Sequence, residues 1–157
     1  MEGNGNCNSN CNHSSTFSPQ RRGDAEETVN THDLNICSGA VVDGAMQVHS
    51  ALGPGLLESA YELCLAHELR TRGIQVETQV AVPIIYKGFR LDAGYRIDLL
   101  VENEIVIEAK SVAKLLPVHE AQLLSYLRLA NRRLGLLINF NIPHLRDGIK
   151  RMVNGLR

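Results

Sequence analysis

The sequence predicts one domain of mixed α/β class, preceded by a polar tail. Two segments with apolar residues at helical spacing come first, three β-branched runs follow, and a helical segment then precedes a fourth apolar run. A chain of 157 residues has the length of one domain, and a hydrophobic content of 44% is enough for a core. The expected order is α-α-β-β-β-α-β-α, with helices packed on a mixed sheet.

The first part of the chain differs from the rest in composition. Residues 1–30 are rich in Asn, Ser, Gly and Thr and contain almost no large apolar side chains. Such a segment cannot offset the entropy of ordering by burying apolar surface. We therefore expect a disordered tail at residues 1–34 and a folded domain at residues 35–157.

Two helices are expected at the start of the domain. The first covers residues 38–52, where apolar side chains recur every three or four positions. The glycines and proline of 53–55 end it, because neither residue type favours a helix interior. The second covers residues 56–72, and Gly73 is a natural residue to follow its end.

The rest of the domain is expected to alternate strands and helices. Val and Ile are enriched in three strand-like runs, which are 76–86, 89–101 with a bend at Gly94, and 104–110. The C-terminal part is expected to form a helix, a strand and a helix, at 118–130, 134–140 and 144–153. The apolar character of this last strand is typical of a central position in a sheet.

Composition and charge indicate the expected cellular location of the protein and the kind of partner that it could bind. No run approaches the ~20 apolar residues of a membrane span, and no secretory signal is recognisable, so we expect a cytoplasmic protein. The net charge is −1, but residues 37–157 carry fourteen basic and twelve acidic residues, which leaves +2. This balance is compatible with a nucleic-acid partner. The basic candidates for contacting it are Arg132, Arg133, Arg146, Lys150 and Arg151.

Three charged residues lie unexpectedly within the apolar runs. Asp98 follows Ile97 in one strand, and Glu108 and Lys110 end the next one. A charge within such a run is costly to bury and is usually paired or bound to a metal. Two carboxylates and one amine in neighbouring strands suggest a divalent-metal site that cuts phosphodiester bonds.

The loop between these strands decides whether the two carboxylates meet. A two-residue loop, 102–103, would place Asp98 opposite Ile107 and the carboxylates on opposite faces, because side chains alternate along a strand. A three-residue loop, 102–104, would place Asp98 opposite Glu108. Such loops commonly need a residue in the left-handed region, which Asn103 tolerates. Both registers are locally possible, and the metal site requires the second.

Adjacent carboxylates would favour Mg²⁺ or Mn²⁺, because the donors are hard oxygens without Cys or His. The metal would polarise a phosphoryl oxygen and acidify a water. Lys110 would orient that water or neutralise charge in the transition state. An alternative interpretation is structural: Asp98 pairs with Arg96, while Glu108 and Lys110 form a solvated strand face.

Two helices add polar candidates for the same site. Glu58 lies in the first turn of its helix, where a carboxylate also stabilises the helix dipole. Gln122 and Tyr126 are four residues apart and share one helix face, where they could equally form a polar boundary of the core.

Several of these residues occur in a pattern that resembles a known family. The segment from Gly55 to Tyr61, with Glu58 within it, is similar to the signature of the GxxExxY protein family. The segments 48–55 and 135–140 also resemble that family. The family resembles the PD-(D/E)xK nuclease superfamily, which implies a restriction-endonuclease-like mixed sheet with an α-β-β-β-α-β core.

The resemblance implies roles for individual residues. Asp98, Glu108 and Glu58 match metal-binding acids, and Lys110 matches the motif lysine. Gln122 and Tyr126 match the Gln-x-x-x-Tyr motif of RecB-type exonucleases, which helps to hold the site and the substrate strand. Ile97 stands where the superfamily motif has Pro.

The function expected from this resemblance is a Mg²⁺- or Mn²⁺-dependent nuclease that hydrolyses DNA. The alternative is a catalytically silent module on the same fold, which binds nucleic acid or a protein partner.

Overall fold

A five-stranded mixed sheet forms the centre of the structure, a computed structural model that describes residues 31–92 and 94–155. In chain order the elements are α1 Thr31–Leu52, α2 Glu58–Thr71, β1 Val76–Ala81, β2 Ile84–Tyr86, β3 Phe89–Leu91, β4 Arg96–Val101, β5 Ile105–Lys110, α3 Pro117–Leu129, β6 Leu134–Asn139, a 3₁₀ turn Leu145–Gly148 and β7 Ile149–Val153. None of the helices in these residues has the length and hydropathy of a membrane span.

The strand order of the sheet is β1-β4-β5-β6-β7, and α3 connects β5 to its parallel neighbour β6. The other pairs are antiparallel. All six residues of β6 are buried, as expected for a strand inside the sheet. This architecture confirms the predicted α/β class with a mixed sheet.

Two apolar clusters cover the two faces of the sheet. Ile105 and Ile107 of β5 belong to the cluster formed with α1 and α2. Val106, between them, belongs to the cluster formed with Leu123 and Leu127 of α3. The alternation of side chains along β5 therefore separates two helical layers, since neighbouring residues point to opposite faces.

The first helix begins earlier than the pattern indicated. It starts at Thr31 rather than at residue 38, and Leu34 in its first turn is buried against the core. The expected disordered tail, 1–34, lies outside the described residues except for its last four, which open α1.

The strand region is divided more finely than the composition indicated. The run 76–86 contains two strands, β1 and β2, because Pro83 between them cannot donate to a ladder. The run 89–101 also contains two strands, and its chain turns at Gly94, whose φ is 74°. The bend predicted at Gly94 is confirmed, while β2 and β3 form a separate two-stranded hairpin.

The predicted final helix, 144–153, is wrong. Its place is taken by the short 3₁₀ turn and by β7, which pairs with β6 from Leu134 opposite Val153 to Ile138 opposite Ile149. The apolar spacing resembled a helix, but the outer edge of β6 would otherwise leave buried peptide groups without partners. Pairing with β7 satisfies those groups, and that requirement outweighs a weak local pattern.

Candidate active site

The β4–β5 hairpin has the register that brings the two carboxylates together. Leu99 lies opposite Ile107 and Val101 lies opposite Ile105, so the loop contains three residues. Continuing this register by one position places Asp98 opposite Glu108. The longer of the two possible loops is therefore the one that forms.

Two consecutive residues of this loop have left-handed backbone conformations. The φ angles of Glu102 and Asn103 are 50° and 55°, and Glu104 N donates to Val101 O at 3.0 Å. Asn tolerates this region, while Glu adopts it at a cost. The Glu102 carboxylate accepts a hydrogen bond from Gln75 N at 2.7 Å, which helps to hold the turn.

The two strands separate at Asp98. Their ladder stops at Leu99 and Ile107, and the Ala109 N–H donates to Asp98 Oδ2 at 2.9 Å. Arg96 forms no ion pair with Asp98 and donates instead to Gln79 O at 3.5 Å. The structural alternative, in which Asp98 is neutralised by Arg96, is therefore wrong.

Glu108 and Lys110 form a buried ion pair at the end of β5. Lys110 Nζ donates to Glu108 Oε1 at 2.6 Å, and their side chains are only 11% and 2% exposed. The solvated strand face of the alternative interpretation is wrong for these two residues. The second oxygen, Glu108 Oε2, is buried and has no hydrogen-bond partner. An unpaired carboxylate oxygen in such a position is costly unless a ligand completes it.

The electrostatics of the site follow from burial and from like charges. Burial, with the charge of Glu108, raises the pKa of Asp98 from 3.8 to about 7. Burial also raises the pKa of Glu108, although Lys110 acts in the opposite direction. Burial lowers the pKa of Lys110, but its hydrogen bond to Glu108 and the nearby negative charges outweigh burial and raise it. If both were ionised, Asp98 and Glu108 would carry two negative charges, and Lys110 supplies only one positive charge.

Glu58 lies at the same end of β5 because of the loop that precedes α2. Tyr61 Oη donates to Gly53 O at 2.6 Å and accepts from Leu56 N at 3.1 Å, which fixes the start of the helix. Ser111, directly after β5, donates its N–H to Glu58 Oε1 at 3.3 Å. The negative charge of Glu58 raises the pKa values of Glu108 and Lys110.

A second acid on α2 was not among the predicted site residues. Glu62 lies one turn after Glu58, and its charge raises the pKa values of Asp98 and Glu108. Its carboxylate accepts a hydrogen bond from Gln79 Nε2 at 2.8 Å. Two acids at i and i+4 share a helix face and repel each other, and that spacing was the available sequence signal.

Asn139 was also missed, and it holds the chain that follows Lys110. It lies opposite Lys110 in the β5–β6 register and is 2% exposed. Its Nδ2 donates to Val112 O at 2.8 Å, and its Oδ1 accepts from the N–H groups of Val112 and Asn141. A polar residue at the end of an otherwise apolar strand was the signal for this role.

Gln122 and Tyr126 are joined to each other, and not to the carboxylates. Gln122 Nε2 donates to Tyr126 Oη at 3.0 Å. Both line a cavity of about 530 Å³, together with Tyr95, whose ring meets Tyr126 edge to face. Among the described residues, neither Gln122 nor Tyr126 forms a hydrogen bond with Asp98.

The basic candidates for contacting nucleic acid lie in different elements, with Arg146 in the 3₁₀ turn and Lys150 and Arg151 in β7. Arg132 and Arg133 precede β6, whereas the site lies beside its other end, about 20 Å away at the usual rise per residue. Lys150 pairs with Glu120, and Arg151 donates to Asn35 Oδ1 at 2.6 Å.

The donor set was compared with what a hard divalent cation requires. Within 31–92 and 94–155, no three His, Cys, Asp or Glu side chains are arranged to hold a metal. Glu58, the third ligand predicted, is engaged with Ser111. Asp98 and Glu108 nevertheless offer carboxylate oxygens, and Glu108 Oε2 is buried without a partner. Hard oxygen donors of this kind suit Mg²⁺ or Mn²⁺.

Comparison with known proteins gives the family. Searches of curated proteins and of solved structures returned no match. The sequence profile of the PD-(D/E)XK nuclease superfamily matches residues 35–152, a range that runs from α1 into β7 and includes every residue of the site. Nucleases of this superfamily generally use divalent metals. Membership in the narrower GxxExxY family stays a prediction. The chain belongs to the PD-(D/E)XK nuclease superfamily.

Proposed function

We propose that this protein is a divalent-metal-dependent nuclease that hydrolyses phosphodiester bonds in DNA, with Mg²⁺ or Mn²⁺ held by Asp98 and Glu108. The observation that carries the proposal is the buried Glu108 Oε2, which has no hydrogen-bond partner and lies near the partly buried Asp98 carboxyl, whose pKa is raised. A cation between the two carboxylates would complete that oxygen and remove the repulsion between them.

The chain's own residues divide the work around that cation. When bound, the cation would polarise a phosphoryl oxygen and acidify a water. The raised pKa of Lys110 keeps its amine protonated at neutral pH. Lys110 therefore serves as a hydrogen-bond donor that neutralises charge on the phosphoryl group, and not as a general base.

The remaining predicted residues have positioning or binding roles in this proposal. Glu58 would help to hold the cation or its water after releasing Ser111 N, and that hydrogen bond of 3.3 Å is long. Gln122 and Tyr126 contact the substrate strand through the cavity that they line. Tyr61 and Asn139 hold the chain segments that carry Glu58 and Lys110.

The test is cleavage of labelled single- and double-stranded DNA and RNA with Mg²⁺, Mn²⁺ or EDTA. We expect metal-dependent cleavage of DNA, and losses of at least about a hundredfold in Asp98→Asn and Lys110→Ala, since both remove transition-state stabilisation. Glu77→Gln is the matched control, because it removes an exposed carboxylate from the same sheet and should keep full activity.

Two outcomes would contradict the proposal. Undiminished cleavage by Asp98→Asn would remove the mechanism. Metal-dependent binding of DNA without turnover would favour the catalytically silent module on the same fold.

A further inference from the structure

The β2–β3 hairpin is unusual in exposing large apolar side chains. Four of its six strand residues have exposed fractions between 43% and 69%, and these are Ile85, Tyr86, Phe89 and Leu91. The hairpin forms its own two-stranded sheet and is not hydrogen-bonded into the main sheet. Apolar surface concentrated in this way is typical of a binding site.

The exposed aromatic residues of the described chain all lie in or shortly after the β2–β3 hairpin. Tyr86, Phe89 and Tyr95 are 65%, 66% and 46% exposed. In contrast, Tyr61 and Phe140 are fully buried and stack on each other at 4.5 Å. The described aromatic residues therefore comprise a buried pair in the core, a buried Tyr126 beside Tyr95, and three exposed residues between positions 86 and 95.

The exposed rings belong to one continuous surface. Tyr86 lies directly opposite Phe89, and Ile84 lies opposite Leu91 in the next pair on the same face. Ile84 also lines the 530 Å³ cavity that contains Tyr95 and the buried Tyr126. We call the face of Ile84, Tyr86, Phe89 and Leu91, with this cavity, the aromatic surface.

Positive charge accompanies the aromatic surface. Lys87, Arg90 and Arg96 stand against one acid, Asp92, which leaves +2 between residues 84 and 96. Arg90 pairs with Asp92, while neither Lys87 nor Arg96 forms an ion pair with any described carboxylate. Lys87 Nζ lies 5.4 Å from the centre of the Tyr86 ring. Cations beside exposed rings are the combination that binds single-stranded nucleic acid.

The aromatic surface also leads to the candidate active site. Tyr95 precedes Asp98 by three residues, which is about 10 Å of extended chain. The Tyr95 carbonyl accepts a hydrogen bond from Val82 N at 2.9 Å, so this connection is fixed to the end of β1. A strand that continues from the hairpin across Tyr95 would therefore be about 10 Å of chain from Asp98 at Tyr95.

We propose that the aromatic surface binds the unpaired bases of single-stranded DNA, so that the nuclease acts on an unpaired strand. The substrate class rests on the proposed nuclease function, while the binding itself does not. Bases within a duplex are stacked on each other and present no free ring face, whereas unpaired bases can stack on Tyr86, Phe89 and Tyr95. Lys87 and Arg96 would contact the adjoining phosphates.

The test measures binding without cleavage, by fluorescence anisotropy of a labelled 20-nucleotide DNA strand and its duplex in EDTA. We expect the wild-type protein to prefer the single strand at least about tenfold. The double variant Tyr86→Ala/Phe89→Ala should lose about tenfold or more for the single strand, because it removes two stacking platforms. Ile85→Ala is the matched control, since Ile85 is equally exposed but lies on the other face of the hairpin.

A second variant separates stacking from general apolar contact and from misfolding. Tyr86→Leu/Phe89→Leu keeps apolar area in the hairpin but lacks ring faces, and it should also lose single-strand affinity while circular dichroism and melting stay normal. Full affinity in this variant, or an equal loss in Ile85→Ala, would overturn the proposal. A wild-type dimer that dissociates in Tyr86→Ala/Phe89→Ala, measured by sedimentation, would also overturn it.

The two proposals can fail separately. Single-strand binding that depends on the hairpin, without turnover in Mg²⁺ or Mn²⁺, would remove the nuclease proposal alone. Turnover that is independent of the hairpin would remove the aromatic surface alone.

Discussion

Two buried polar regions at the same end of the sheet are built in opposite ways. Around Asn139 and Tyr61, the side-chain polar groups have partners, with Asn139 accepting two hydrogen bonds and donating one. Around Asp98 and Glu108, one carboxylate oxygen has no partner, and burial raises both pKa values. The chain satisfies the first region, whereas the second, which we call the incomplete region, leaves one carboxylate oxygen without a partner.

The contrast separates a region that supplies stability from the region that we propose supplies function. Hydrogen-bonded polar groups can be buried at little net cost, whereas unpaired buried charges are costly. The satisfied region fixes the segments that carry Glu58 and Lys110, so hydrogen-bonded neighbours hold the carboxylates in place. Variants in the two regions should therefore change the free energy of unfolding in opposite directions.

The largest effect on stability is expected for Asn139→Ala, which breaks the satisfied region. The change leaves the N–H and carbonyl of Val112 and the N–H of Asn141 without their partner. We expect a loss of about 2–3 kcal/mol in the free energy of unfolding, because buried peptide groups lose hydrogen bonds. Urea denaturation measures it. Asn141→Ala is the matched control and should stay within about 0.5 kcal/mol of the wild type.

The opposite effect is expected for Asp98→Asn in metal-free buffer. The folded-state pKa of Asp98 is raised from 3.8 to about 7, so the folded state binds more protons than the unfolded state between these values. Stability of the wild type therefore falls as pH rises from about 4 to about 7. Asn cannot ionise and can still accept from Ala109 N, so at pH 8 the variant should be about 1–2 kcal/mol more stable after solvent screening.

Urea denaturation in EDTA at several pH values between 4 and 8 checks this prediction. Parallel stability curves for the wild type and Asp98→Asn would contradict it, and Glu77→Gln should keep the wild-type slope. Adding Mg²⁺ or Mn²⁺ at pH 8 gives a second readout, because a ligand of the folded state stabilises it. The metal should raise the stability of the wild type and leave that of Asp98→Asn unchanged.

A smaller loss is expected for Tyr61→Phe. The change removes the hydroxyl that joins Gly53 O and Leu56 N, while the ring can still stack on Phe140. Leu56 is 41% exposed, so water can replace part of the lost bonding. We expect a loss of about 1 kcal/mol, measured by urea denaturation. Tyr86→Phe, which removes an exposed hydroxyl, is the control. An equal loss of stability in Tyr86→Phe would show that the two hydrogen bonds of Tyr61 do not account for the effect.

The sequence reduced the geometry of the two carboxylates to two hairpin registers and did not choose between them. The three-residue loop, with Asn103 in the left-handed region, decides that Asp98 faces Glu108. The apolar residues on either side of Asp98 and Glu108 indicated that both carboxylates are buried. Glu108 is indeed buried. Side-chain alternation can be derived from spacing, whereas the loop length was given only by the strand register of the structure.

The remainder depended on tertiary contacts that spacing does not contain. The final helix was wrong because the need of β6 for a partner comes from the assembled sheet. Asn139 and Glu62 were missed because their roles arise from Val112 and from Asp98, which lie far from them in sequence. The basic residues are scattered because charge in the sequence does not define one face of the molecule.

The smallest effect is expected for Glu62→Gln, which changes the charge near Asp98 and Glu108 but neither of these residues. The charge of Glu62 contributes to the raised pKa of Asp98, and Gln can keep an acceptor for Gln79 Nε2. We expect the pKa of Asp98 to fall below about 7, so the loss of stability with rising pH should end at a lower pH. Carbon-detected NMR titration of the Asp98 carboxyl in metal-free buffer measures this change. Glu68 on the same helix pairs with Arg72. The control variant Glu68→Gln should therefore leave the titration midpoint of Asp98 unchanged. An unchanged midpoint in Glu62→Gln would mean that solvent screens this acid from the site, and that burial and Glu108 alone account for the raised pKa.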